Sequence, residues 1–167
     1  VLHTNAFFDP TNLTWSNGGQ VCEVEIDPAT GATRLVSYVC VDDIGTVINP
    51  MVVEGQVHGG VAQGIGQAMF EATHYDSAGQ LYTASFMDYA LPRADVLPAF
   101  VSETDESQPC THNPLGAKGC GESGTIGAPA AVMSAMLDAL RPLGIKDIAM
   151  PFTQEKVWQA IRTARRQ

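Results

Sequence analysis

Two stretches far apart in the chain concentrate the residue types that could hold a ligand or move a proton. The first, residues 54–68, carries Gly55, Gly59, Gly60, Gly64 and Gly66 among Gln56, Gln63 and Gln67. A glycine in a helix interior costs about 1 kcal/mol relative to alanine, so a helix this rich in glycine needs a reason. Spacings of four place bare backbone on neighbouring turns, where another backbone or a flat ligand can approach closely. The glutamine amides beside that stripe offer both donor and acceptor to a heterocycle or a phosphate. The same spacing also suits tight packing against a second helix, and spacing alone leaves both uses open.

The second stretch is Asn113-Pro114-Leu115-Gly116-Ala117-Lys118-Gly119-Cys120-Gly121-Glu122-Ser123-Gly124. Backbone N–H groups just ahead of a helix, with Lys118 beside them, would make a nest for an anion. The glycines of residues 119–124 also fit the Gly-x-Gly-x-x-Gly dinucleotide pattern. That pattern must follow a strand directly, however, and Pro109 and Pro114 stand in front of it; Pro129 would be unusual in the first turns of the helix behind it. A Walker-type phosphate loop is excluded because Lys118 is followed by Gly119, not by Ser or Thr. Glu122 has two uses: a helix-flanking carboxylate stabilised by the dipole, or a general base beside a bound cofactor that excludes water. Composition does not choose between them.

The remaining candidates are weaker. His3, His58, His74 and His112 lack ligand spacing. Cys22, Cys40, Cys110 and Cys120 form no Cys-x-x-Cys pair, which argues against zinc or a disulfide framework and for reduced thiols in a cytoplasmic protein. Asp42-Asp43 and Asp105-Glu106 read as solvated turn carboxylates.

The elements that must position these residues follow from periodicity. Residues 1–19 are dense in turn formers and read as an irregular lead-in, with residues 20–167 as the folded domain. Val21, Val24 and Ile26 alternate with Glu23 and Glu25, and turn residues 27–31 lead into an apolar run at 35–41, which predicts two strands and a hairpin. Val53, Val57, Val61, Ile65, Met69 and Ala72 mark one face of a helix over residues 51–74, with Pro50 suited to its first turn. Strands are expected at 81–86, 100–104 and 145–148, a buried helix at 128–140, and a last helix capped by Thr153. The order β-β-α-β-β-α-β-α indicates an α+β fold, a mixed sheet with helices packed on it.

The chain has 167 residues, 45% hydrophobic and 16% charged, enough for a real core. A net charge of −9 repels phosphate backbones and anionic lipid, so nucleic acid is not an expected partner. No apolar run approaches the roughly 20 residues of a membrane span. The start, Val1-Leu2-His3, has neither an initiator Met nor a leader, and the chain reads as a piece of a longer one.

Taken together, Glu54-Gly55-Gln56-Val57-His58-Gly59-Gly60-Val61-Ala62-Gln63-Gly64-Ile65-Gly66-Gln67-Ala68 and Gly116-Ala117-Lys118-Gly119-Cys120-Gly121-Glu122 resemble the C-terminal part of molybdenum hydroxylase large subunits, the xanthine dehydrogenase family. Within that family the stretches are similar to those of the aerobic carbon monoxide dehydrogenase large chain. Supporting stretches are Val41-Asp42-Asp43-Ile44-Gly45-Thr46-Val47-Ile48-Asn49-Pro50 and Ser85-Phe86-Met87-Asp88-Tyr89-Ala90-Leu91-Pro92-Arg93-Ala94, in the same order. The resemblance implies a molybdopterin dinucleotide carrying Mo, with FAD and 2Fe-2S clusters on partner domains or subunits and a small-molecule substrate. It matches Glu122 to the glutamate beside the metal that takes up a proton. It matches Gln63 and Gly64 to residues holding the cofactor, and Lys118, Gly119, Cys120 and Gly121 to the loop running alongside. The other cofactor loops, and the cysteine that ligates Cu in carbon monoxide dehydrogenases, belong to the upstream part of the same subunit, and the segment alone should be inactive. The rival reading is a non-catalytic interaction or scaffold domain whose glycines serve packing.

Overall fold

A computed structural model describes residues 2–166; Val1 and Gln167, the outermost residues of the predicted lead-in and domain, lie outside the described residues. Alternation makes Asn17–Ile26 the first strand, β1, with Gln20, Cys22, Val24 and Ile26 half-buried and their neighbours exposed. The Asp27 carboxylate then accepts from the Ala29 N–H at 2.8 Å and the Thr30 hydroxyl at 2.7 Å. Gly31, at φ +74°, completes the turn.

The second strand, β2 (Thr33–Asp43), pairs antiparallel with β1. Glu23 faces Ser37 while Val24 faces Leu35, so Val36 is the extra residue of a bulge. The bulge resets the phase and lets both Leu35 and the Tyr38, Cys40, Asp42 series turn inward. Helix α1 (Pro50–Met69) starts where Asn49 accepts from the Val52 N–H at 3.3 Å, and it buries Val53, Val57, Val61, Ile65 and Met69. The chain returns as β3 (Phe100–Thr104), parallel to the other edge of β2, so the sheet order is β1-β2-β3. Helix α2 (Ser123–Leu140) buries an i, i+4 stripe of Gly124, Ala128, Val132, Met136 and Leu140. Helix α3 (Gln154–Ala164) is capped by Thr153, whose hydroxyl accepts from the Lys156 N–H at 3.4 Å. The core lies where the inward face of β2 meets α1 and α2, at Tyr38, Val57, Val61, Ile65, Val132 and Met136. This is an α+β fold with a mixed sheet, as the patterning indicates.

Three boundaries differ from expectation, and two expected strands do not form. β1 begins at Asn17, inside the stretch read as irregular, because Gly18 and Gly19 find ladder partners in Asp42 and Val41. No strand forms at residues 81–86, where the Ser85 carbonyl instead accepts from the Asp88 and Tyr89 N–H groups in a turn. Residues 145–148 likewise form no strand. Helix α1 ends at Met69, not at 74, where the Phe70 N–H closes on the Gly66 carbonyl and leaves Ala72 outside. Helix α2 starts at Ser123 instead of 128, taking Ser123 and Gly124 out of the expected loop and placing Pro129 inside the helix. Pro129 has no N–H, so the Thr125 carbonyl goes without its i+4 donor.

Candidate functional site

Backbone contacts at the end of β2 hold the glycine-rich loop in place. The Lys118 N–H donates to the Ile44 carbonyl at 2.7 Å, the Thr46 N–H to the Gly116 carbonyl at 2.9 Å, and Gly45 and Ala117 form a β-bridge. Gly45 and Gly116 both lie at positive φ, +64° and +71°, and a Cβ on Gly45 would strike the Gly116 carbonyl. A mostly buried ion pair reinforces this junction, Lys118 Nζ to Asp43 Oδ2 at 2.6 Å. That hydrogen bond, helped by the Gly45 N–H, holds the Asp43 carboxyl below the usual carboxylate range. Two sequence readings are corrected here. Asp43 is not a solvated turn carboxylate, and the Lys118 ammonium, engaged with Asp43, does not supply the cation of an anion nest.

The nest itself is backbone. The N–H groups of Gly119, Cys120, Gly121 and Glu122 donate to no backbone carbonyl among the described residues. They lead directly into α2, whose N-terminal dipole end adds to the attraction for an anion.

Helix packing brings the first glycine-rich stretch to the same place. A Cβ on Gly60 would lie 2.8 Å from the Thr125 nitrogen, and one on Gly64 would lie 2.5 Å from Ala128 Cβ. These two glycines, with Gly124 opposite, let α1 and α2 touch backbone to backbone. Gly55 and Gly59 have nothing within 4 Å of the missing Cβ. The packing use is therefore present at Gly60 and Gly64, while Gly55 and Gly59 lie on an open face of the same helix. On the open face Gln63 Oε1 accepts from the Thr125 hydroxyl at 3.1 Å, and the space above Gly121 reaches Gln56 Oε1 at 3.8 Å. Gln56, Gly59, Gln63, Gly119, Gly121 and Glu122 are all exposed.

Glu122 occupies the N-cap position of α2, yet its side chain caps nothing; only its carbonyl accepts, from the Thr125 and Ile126 N–H groups at 3.1 Å. The carboxylate makes no hydrogen bond or ion pair among the described residues. The carboxylate stands at the positive end of the α2 dipole, and both uses read from the sequence stay open to it. Cys120 is half-buried against the core, Gly64 lies buried beneath the open face, and Lys118 points back to Asp43.

Residues that composition did not single out fix the start of α2. Gln20 Nε2 donates to the Ser123 carbonyl at 3.0 Å and the Gly124 carbonyl at 3.1 Å, while its Oε1 accepts from the Tyr38 hydroxyl at 2.5 Å. Asp42 is only 2% exposed, and burial pushes its carboxyl pKa up, so it too was misread as a solvated turn residue. Both occupy inward positions of strands, which the period-2 alternation could have revealed. His58 packs on Phe100 and meets Ser102 Oγ at 3.3 Å and Glu54 Oε1 at 4.0 Å through the same ring nitrogen. A proton relay needs both nitrogens, so this trio is not a nucleophile site. Among the described residues no His, Cys, Asp or Glu cluster could hold a metal, and no helix is long and apolar enough to cross a membrane.

Comparison with known proteins adds a family. The model of a molybdopterin cofactor-binding domain matches residues 2–98. The nicotine 6-hydroxylase large subunit of Paenarthrobacter nicotinovorans is 46% identical over 93% of this chain and 19% of its own. The carbon monoxide dehydrogenase large chain of Hydrogenophaga pseudoflava is 40% identical over the same shares. The crystal structure of a Cu,Mo-CO dehydrogenase superposes with a TM-score of 0.90 at 36% identity, covering 95% of this chain and 20% of that one. The chain thus spans about a fifth of the length of the relatives it matches.

Proposed function

The chain belongs to the molybdopterin cofactor-binding domain family, and from that premise we propose that it forms one wall of the cofactor cleft in the large subunit of a molybdenum-dependent oxidoreductase and supplies Glu122 as its proton acceptor. The observation that carries this reading is the open face on which Gln56 and Gln63 of α1 meet Gly121 and Thr125, on either side of Glu122 and more than 55 positions away in sequence. The residues fit the group. A pyrophosphate tail finds the four free N–H groups of residues 119–122 at the start of α2. A flat heterocycle finds the bare backbone of Gly59 and Gly119, where a side chain would intrude, flanked by the Gln56 and Gln63 amides.

When bound, the group supplies a molybdenum centre that accepts two electrons from the substrate, which FAD and 2Fe-2S clusters on partner domains or subunits then carry away. This chain's part is local. The loop N–H groups hold the anionic tail, the glutamine amides orient the ring, and the Glu122 carboxylate, left free by its own helix, takes up a proton at Oε. Lys118 and Asp43 act behind the loop and keep its path fixed. Gly64 serves the cleft indirectly, by letting α1 and α2 close on each other. Substrate choice, and any copper ligand, belongs to the upstream polypeptide, so the segment alone is inactive. Four unpaired thiols suit a cytoplasmic setting.

Loss of a general base costs typically about 10²–10⁴-fold in rate. In the large subunit carrying this chain, Glu122→Gln should retain its molybdenum content while turnover falls at least about 100-fold. Turnover within twofold of the parent would remove Glu122 from the mechanism. The scaffold reading draws on Gly60, Gly64 and Gly124, which do pack, but leaves the helix cost of the open Gly55 and Gly59 unexplained.

A further inference from the structure

A second hollow lies on another side of α2. A groove of about 580 Å³ runs between β1 and α2, its walls made of small side chains such as Gly18, Cys22, Ala131 and Ala135. Asp42 and Ser123 also line it, and Asp42 Oδ2 and Ser123 Oγ are fully buried atoms with no hydrogen-bond partner. Native proteins satisfy the great majority of buried polar atoms, so two orphans lining one groove point to an absent partner.

The groove is built around the carboxylate. Asp42 takes an inward position in line with Tyr38 and Cys40, where an apolar residue is the rule. Gly18 stands opposite it in the ladder, and a Cβ there would collide with Asp42 Oδ1. Three strong donors near the carboxylate are engaged elsewhere. Gln20 Nε2 serves the Ser123 and Gly124 carbonyls, the Tyr38 hydroxyl serves Gln20, and Lys118 Nζ serves Asp43.

Charge and shape narrow the occupant. The ionisable carboxylates lining the groove are Asp42 and Asp138, the latter already paired with Arg141, and no Lys, Arg or His lines it. An anion is therefore repelled, and a neutral donor would leave the Asp42 charge uncompensated in a buried site. A cationic head on a slim aliphatic stem compensates the Asp42 charge and fits between small side chains. Relatives some five times longer than this chain hold a large body of polypeptide that must pack around the corresponding region. We propose that the groove between β1 and α2 receives an arginine or lysine side chain from the remaining polypeptide of the same large subunit, its cationic head pairing with Asp42. This rests on the reading that the chain works inside such a subunit.

Two measurements test it. Titration of the wild-type 167-residue chain with n-butylguanidinium and n-butylammonium, followed at the Asp42 carboxyl carbon by NMR, should give a saturable shift. Asp42→Asn, nearly isosteric, should weaken binding about tenfold or more, and n-butyrate should not bind. A shift that never saturates, or equal binding by butyrate or by the Asn variant, overturns the proposal without touching Glu122, since neither molybdenum nor turnover enters the assay. The structure of the large subunit should then place an Arg or Lys nitrogen within hydrogen-bond reach of Asp42 Oδ2; solvent, an apolar side chain or a cofactor in the groove would overturn it equally.

Discussion

Asp42 and Asp43 are consecutive carboxylates with opposite fates, because the pleat of β2 sends one inward and the other to Lys118. Their linkage to stability has opposite signs. The lowered pKa of Asp43 contributes stability that is present above its unfolded value near 4 and lost as pH falls through the folded one. The raised pKa of Asp42 works the other way: stability is fully present below about 4 and is lost as pH rises through the folded value. Thermal melts of the chain from pH 7 down to pH 3 should therefore separate two variants. Asp43→Asn should lower Tm by roughly 5 °C at pH 7 and progressively less as the carboxyl protonates. Asp42→Asn should raise Tm at pH 7 and lose that advantage in acid. Equal behaviour of the two would mean that the burial difference has no energetic meaning. The fate of Asp43 was not legible in sequence, since the Lys118 partner lies 75 positions away, whereas that of Asp42 follows from the period-2 series of Tyr38 and Cys40. Glu122 and Gln63 stand out as candidates in the sequence, because a carboxylate or an amide among glycines is conspicuous by type alone.

At the scale of elements, α1 shows why glycine spacing is an ambiguous signal. Its glycines answer to two neighbours, a helix on one face and open space on another, and the difference can be measured. Gly64→Ala should destabilise the chain by about 1–3 kcal/mol through overpacking against Ala128. Gly59→Ala meets nothing within 4 Å and should stabilise by up to about 1 kcal/mol through helix propensity alone. In the large subunit the same Gly59→Ala change should lower cofactor retention, read as molybdenum per polypeptide after desalting. Retention unchanged alongside the gain in stability would show that the open face holds no ligand. Periodicity was sufficient to place β1, β2, α1 and α3, though not the first residues of β1, the bulge in β2 or the end of α1. It failed at α2, where Ser123, Gly124 and Gly127 look like loop and Pro129 like a first turn, because contact with Gly60 and Gln20 holds those residues helical. It failed again at 81–86, where Leu81 bridges only Tyr75 and Ser85 opens a turn.

The molecule as a whole carries more apolar surface than its core can use. Phe7, Phe8, Leu13 and Trp15 stand exposed ahead of β1, Met51 and Val52 open α1 beside the glycine face, and Phe86 and Met87 project from the turn at Ser85. Monomers rarely expose extended apolar patches unless something covers them, and a chain that forms one wall of a cleft must leave its inner surface bare. A net charge of −9 opposes association through repulsion that salt screens, with a Debye length of about 30 Å at 0.01 M and about 3 Å at 1 M. The isolated chain should therefore sediment close to a monomer in dilute buffer and form larger species as salt rises, with a weight-average sedimentation coefficient that grows with protein concentration. Substituting Met51 and Val52 by Ser should shift that onset to higher concentration, because both belong to the first turn of α1, next to the open Gly55 face. A chain that stays monomeric at high salt and high concentration would have surfaces that need no cover, and the scaffold reading would then hold over the half-cleft.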